Sequence, residues 1–245
     1  MKYSLKQFVS AHPKWKKKRD AILTRYIYRP CSFVIAWMFA NLGISSNAVS
    51  RLTMLWGILA CLIYLIPGKL AGVMASGMVF IWIILDCADG DLARTVGALP
   101  YGEFLDAAGG YILNGLLFNI LGYRAYFDVN SVLYHDPIIV LAGAIAASSD
   151  SISRLIYQKY VNSCYELGQN GKVAHDGGNA KLIDRVRVWV DMNLGVGGIL
   201  PVLLMITNFW GGLYMIVIIY AIYGVCVMIG TCIYLIKKTY YRGKA

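Results

Sequence analysis

The amino-acid sequence predicts an all-α integral membrane protein, with six transmembrane helices preceded by a basic interfacial amphipathic helix. Three observations carry that expectation. Hydrophobic residues make up 58% of the 245-residue chain and charged residues only 15%, against about a quarter charged in soluble domains. Mean hydropathy is +0.58, more apolar surface than a soluble fold can hide, so lipid is the natural solvent for most of it. The apolar residues also gather into runs of about 20, the length that crosses a bilayer. Runs of that length must be helical, because strands would leave backbone groups unpaired in hydrocarbon.

Taken in order, residues 1–29 hold nine Lys and Arg, centred on Lys14-Trp15-Lys16-Lys17-Lys18-Arg19. The apolar stretch 31–43 that follows, with Phe33, Trp37 and Phe39, is too short to span. It is expected to lie at headgroup depth on anionic lipid. Six longer segments come next, at 47–67, 70–92, 102–123, 137–157, 186–208 and 211–236, the fifth interrupted by Asp191 and the glycines from Gly195 to Gly198. Lys and Arg fall unevenly between the two sides: the N-terminal segment, Arg94, the 158–187 loop and the 237–244 tail lie on one, and only Lys69 and Arg124 on the other. By the positive-inside rule both termini are expected in the cytoplasm. The domain division that results is 1–46, a cytoplasmic basic segment with the interfacial helix, and 47–245, one membrane domain. The first apolar run starts after residue 30 and does not read as a cleavable signal peptide. Six scattered cysteines show no pairing rhythm. The formal charge of +10 points to an anionic partner. No nucleic acid is expected, because no basic domain stands apart from the apolar segments.

The informative charges are acidic. Leu85-Asp86-Cys87-Ala88-Asp89-Gly90-Asp91-Leu92-Ala93-Arg94 follows an uncharged run from Leu70, and ionisable groups in a membrane segment usually mark function. A helix from Leu70 to Arg94 would be about 37 Å long, so its acids belong near the cytoplasmic interface. Asp86 and Asp89 share a face, while Asp91 points elsewhere. The next span opens Gly102-Glu103-Phe104-Leu105-Asp106. If the short link returns the chain antiparallel, Asp106 faces Asp86 and Asp89. Three converging carboxylates would repel unless a divalent cation sat between them, and all-oxygen ligation suits Mg²⁺, Mn²⁺ or Ca²⁺ rather than zinc. Such an ion would bridge a nucleotide diphosphate. Gly90 and Gly102 leave room for a ligand near the backbone, and Arg94 offers a fork for phosphate.

These residues resemble the signature of the CDP-alcohol phosphotransferases, D-x-x-D-G-x-x-A-R followed by G-x-x-x-D-x-x-x-D. Asp86, Asp89, Gly90, Ala93 and Arg94 match its first half, and Gly102 and Asp106 match its second. Asn47, followed by Ser50, resembles a further element at the start of the first span. The resemblance implies a metal-dependent transfer, with Mg²⁺ or Mn²⁺, of a phospho-alcohol group from a CDP-alcohol donor to an acceptor hydroxyl, releasing CMP at the cytoplasmic face. It implies Asp86, Asp89 and Asp106 as metal ligands, Asn47, Gly90, Ala93, Arg94 and Gly102 along the CDP moiety, and a homodimer.

Two departures stand out. The gap from Arg94 to Gly102 is seven residues, slightly short for the family. The last acid of the signature, in the family a metal ligand and general base, falls on Gly110. Asp106, Glu103 and Asp91 are the remaining acids for the base role, and Asn114 could position but not deprotonate. Alternatively the acceptor needs no strong base, or the chain is a non-catalytic or poorly active CDP-alcohol binder. Arg154, Arg185 and Arg187 are candidates for an acceptor phosphate pocket, or else lipid-facing anchors; Asp150 is placed to pair with Arg154. Asp191 and Asn193 are candidates for the same cavity, and the histidines form no cluster. A transporter is disfavoured, because the acids gather at one end of the spans rather than at the midplane.

Overall fold

The structure is a computed structural model, describing residues 2–167, 189–190 and 192–242. It is all-helical among those residues. In chain order the helices are α1 (Leu5–Ala11), α2 (Lys14–Arg19), a π-helical turn (Thr24–Tyr28), α3 (Arg29–Asn41), α4 (Ser46–Tyr64), α5 (Lys69–Val96), α6 (Gly102–Tyr126), α7 (Pro137–Glu166), α8 (Leu200–Trp210) and α9 (Leu213–Arg242). Among the described residues five helices, α4 to α7 and α9, are long and apolar enough to cross a membrane.

Among the described residues five of the expected six spans are thus present at spanning length. Of the fifth segment, 186–188 and 191 lie outside the described residues. The remainder is broken by turns at 195–199, and its continuous helix, α8, has 11 residues. The interruption at the glycine patch thus matches the expectation, and it shortens the helix below spanning length. The 31–43 stretch falls on α3, which continues the π-helical turn and turns Ser32, Ala36 and Ala40 inward.

Local chemistry explains the boundaries. Ser45 caps α4, its Oγ accepting from the Ala48 N–H at 3.3 Å, and Asp136 caps α7 by accepting from Ile138 N at 2.9 Å ahead of Pro137. Each satisfies an amide that has no partner inside its helix. α5 stops at Gly97, whose φ of +130° is open to glycine and strained for other residues. With 28 residues α5 is about 42 Å long, so one end must leave a hydrocarbon core of about 30 Å.

The chain divides into two compact units, residues 1–113 with 187–211 and residues 114–186 with 212–245. In the first, α5 is central, packed by α1, α3, α4 and α8. Gly57 of α4 admits the Trp82 indole, which would lie 2.9 Å from a Cβ at that position. Tyr64 Oη and Ser76 Oγ meet at 2.8 Å, and Asn208 of α8 donates to the same Ser76 at 3.3 Å. A small apolar cluster of Phe8, Ala36, Ala40, Val49, Ala88 and Leu92 seats the N-terminal helices on α5. The second unit rests on α7 packed along α9, with α6 and α7 in backbone contact at Gly122 and Gly143.

Candidate functional site

The acidic site lies wholly within the first unit, where the C-terminal turns of α5 meet the start of α6. The 97–101 link returns the chain, and the carboxyl groups of Asp86 and Asp106 come within hydrogen-bonding reach of each other. Asp86 is half-buried and Asp106 exposed. Asp89, one turn on from Asp86, is buried and accepts from Ser50 Oγ of α4 at 2.7 Å. Ser50 thus sets the orientation of one acid from a different helix.

Asn47, at the opposite edge, donates from Nδ2 to the Pro100 carbonyl at 2.8 Å, tying the start of α4 to the α5–α6 link. Its buried Oδ1 has no hydrogen-bond partner in the protein. A Cβ at Gly102 would stand 3.1 Å from that oxygen, so glycine there keeps the acceptor uncovered. The Arg94 guanidinium lies over Gly90, 3.2 Å from where a Cβ would be, and any side chain at 90 would push it aside. Ala93 is half-buried on the following turn, and Glu103 is exposed at the first turn of α6. Gly110 has open space where its Cβ would be, with nothing within 4 Å. The adjacent Gly109 packs on Met54.

Asp91 occupies a different face, as expected, and there its environment excludes a free carboxylate. It is 1% exposed. It accepts from Arg29 Nη1 at 3.2 Å on both oxygens, from Ser32 Oγ at 2.7 Å and from Arg94 Nη2 at 2.7 Å. Around it lie His12, with Nδ1 3.9 Å from Asp91 and Nε2 3.3 Å from Asp20, and Arg29 Nε 3.5 Å from Asp20. Sequence reasoning missed His12, Asp20, Arg29 and Ser32 and gave the histidines no role. The available signal was the arithmetic of three acids in six residues: one more than a shared face needs, hence one seeking a buried cation.

Arg154 pairs with Asp150, Nε to Oδ2 at 2.7 Å, in the second unit. Arg185, Arg187 and Asp191 lie outside the described residues. Asn193 is occupied, its Oδ1 accepting from Ile22 N at 2.9 Å and its Nδ2 donating to the Trp189 carbonyl at 2.8 Å. The nearby glycines serve as backbone acceptors. Thr24 Oγ1 donates to the Gly197 carbonyl at 2.7 Å and Tyr28 Oη to that of Gly198 at 3.2 Å. Asn114 is buried in the second unit.

Among the described residues no group of three His, Cys, Asp or Glu side chains forms a ready metal cage. The donor chemistry of Asp86, Asp106 and Asp89 is nonetheless all-oxygen and suits a hard divalent cation. Two of the carboxylates already meet, and the third is held aside by Ser50. Compared with known protein families the sequence matches no family model, and compared with curated proteins it matches none.

Proposed function

We propose that this chain is a CDP-alcohol phosphotransferase of a multi-pass membrane. The observation that carries the reading is the meeting of Asp86 with Asp106 across the α5–α6 turn, with Asp89 fixed beside them by Ser50 and Arg94 laid over Gly90. Like charges are brought to one point at the end of apolar helices, which is stable only if a cation or proton neutralises them.

In this reading Asp86, Asp89 and Asp106 hold Mg²⁺ or Mn²⁺, which when bound neutralises the charge on a diphosphate. Asn47 Oδ1, the backbone beside Gly90 and Gly102, Ala93 and Arg94 line the cytidine nucleotide. The acceptor oxygen attacks the β-phosphorus, the bond from that phosphorus to the bridging oxygen breaks, CMP carries away the bonding pair, and a phosphodiester remains. The acceptor's proton goes to Glu103 or Asp106, the exposed acids on the first turns of α6. Asp91 is spent on Arg29, Ser32 and Arg94 and does not take that part. The reading also includes six crossings, with the 186–208 segment completing the set, cytoplasmic termini and active site, an interfacial N-terminal segment on anionic lipid, and a homodimer.

A second reading is favoured by one observation, the absence of a carboxylate at Gly110: a membrane protein that binds CDP-alcohols without turning them over. Release of CMP from a panel of CDP-alcohols and acceptor hydroxyls, with Mg²⁺ or Mn²⁺ against a chelator, separates the two. Metal-dependent release supports the enzyme. Metal-dependent cytidine nucleotide binding with no release from any pair overturns it in favour of the binder.

A further inference from the structure

We infer that Arg29 is a positioning residue: delivered by the N-terminal segment, it acts through Asp91 to hold Arg94 in place for the ligand's phosphate. The N-terminal segment is thereby part of the site and not only a lipid anchor. This rests on the proposed reading that Arg94 meets a cytidine diphosphate.

The geometry runs in one chain of contacts. Arg94 is the member that reaches outward, with 23% of its side chain exposed, while Asp91 is 1% and Arg29 8% exposed. Its Nη2 is fixed on Asp91 Oδ1 at 2.7 Å, and its Nε has no hydrogen-bond partner in the protein. It is held by one corner with donors to spare, which suits an arginine that orients an anion. Asp91 would otherwise be free to rotate toward Arg94 alone. Instead Arg29 Nη1 bonds both its oxygens at 3.2 Å and also the Cys87 carbonyl at 3.2 Å, while Ser32 holds Oδ2 at 2.7 Å.

Arg29 is anchored in turn on its far side. Asp20 lies 3.5 Å from its Nε, and His12, with its side chain 4% exposed, lies 3.3 Å from the same Asp20. Burial works against the Arg29 charge, but Cys87 and then the carboxylates of Asp91 and Asp20 outweigh it and its pKa is raised. Within this cluster two arginines meet two aspartates, so Asp91 is shared between Arg29 and Arg94. With Asp91 alone, Arg94 would be drawn into a closed ion pair; with Arg29 sharing that acid, Arg94 is left partly available.

A double-mutant cycle on the full chain in lipid nanodiscs tests this, reading CDP affinity by titration calorimetry with Mn²⁺ present. The proteins are wild type, Arg29→Lys, Arg94→Gln and the double variant. Arg29→Lys keeps a charge but has one nitrogen where arginine uses two, Nη1 on Asp91 and Nε toward Asp20. It is expected to weaken CDP binding about tenfold in the wild-type background and not at all in the Arg94→Gln background. Equal weakening in both backgrounds, or none in the first, overturns the inference and leaves Arg29 a structural residue. If Arg29→Lys fails to fold, Ser32→Ala replaces it in the same cycle, since it removes the 2.7 Å bond to Asp91 together with the 2.9 Å bond to the Arg29 carbonyl, and is held to the same outcomes. A wild type that binds no CDP overturns the cytidine nucleotide reading, and this inference with it; binding with additive effects overturns this inference alone.

Discussion

Gly110→Asp restores a carboxylate where the resemblance expects one, and the structure says what that change should do. Position 110 is four residues beyond Asp106, so the new side chain falls on the same face of α6. A Cβ there meets nothing within 4 Å, so there is no overlap to relieve. Helix propensity favours Asp over Gly by about 0.3 kcal/mol. The opposing term is a charge in a membrane segment, about 2.5–3.5 kcal/mol at mid-bilayer. Position 110 stands about 12 Å along α6 from Gly102, short of the middle of a helix of 25 residues, so only part of that penalty applies. The net loss should be under about 3 kcal/mol, with bound Mn²⁺ recovering some of it. A positioned base contributes about 10²–10⁴ in rate. Under the proposed reading the wild type relies on exposed Glu103 or Asp106 and has not realised all of that gain, so CMP release should rise at least about tenfold. The assay is CMP release by purified protein in nanodiscs, alongside a thermal unfolding curve. A folded Gly110→Asp protein that releases CMP no faster than wild type would refute the placement of the 110 face toward the reacting groups.

Two further predictions concern stability. Gly143→Ala should destabilise the protein by about 1–3 kcal/mol, because its Cβ would lie 2.6 Å from the Phe118 carbonyl oxygen and 2.9 Å from Gly122 Cα, and backbone cannot swing aside. Gly77→Ala, with open space at its Cβ, should be neutral or slightly stabilising; equal unfolding midpoints for the two variants would contradict the packing. His12 should make the fold acid-sensitive. Burial, and then the charge of Arg29, hold its pKa below the ordinary 6.5, against the pull of Asp20 and Asp91 and with Arg94 adding to the lowering. The unfolded chain therefore binds a proton first as pH falls, and the stability present above about 6.5 is lost below it. The unfolding midpoint should drop more for wild type than for His12→Gln between about pH 7.5 and 5.5, and parallel slopes would show that His12 does not titrate with folding.

The helices were legible because each depends on local chemistry: apolar length, a capping Ser45 or Asp136, and a stop at Gly97. So was the pairing of Asp150 with Arg154, one turn apart. The α5–α6 acids were legible for the same reason, since a short link between two apolar helices leaves few ways to return, and Asp106 comes back to Asp86. What could not be read were pairings without a sequence period. Arg29 and Asp91 are 62 residues apart, and nothing about a basic segment distinguishes an arginine that pairs with a buried acid from one that rests on lipid. The π-helical turn before α3 escaped notice too, because its hydroxyls answer to carbonyls of the 197–198 glycines, about which spacing is silent. The shortness of α8 was only half visible: Asp191 and the glycines signalled a break, but apolar composition continued through it.

The central claim, that the carboxylates at the α5–α6 turn carry a metal-dependent transfer, is tested most directly by Asp89→Asn. An asparagine oxygen can still accept from Ser50 Oγ, now 2.7 Å from the Asp89 carboxylate, so the fold should stand while the charge is removed. CMP release measured side by side for the two proteins should be metal-dependent in wild type and absent in Asp89→Asn at an unchanged unfolding midpoint. Release by Asp89→Asn at the wild-type rate would contradict the account.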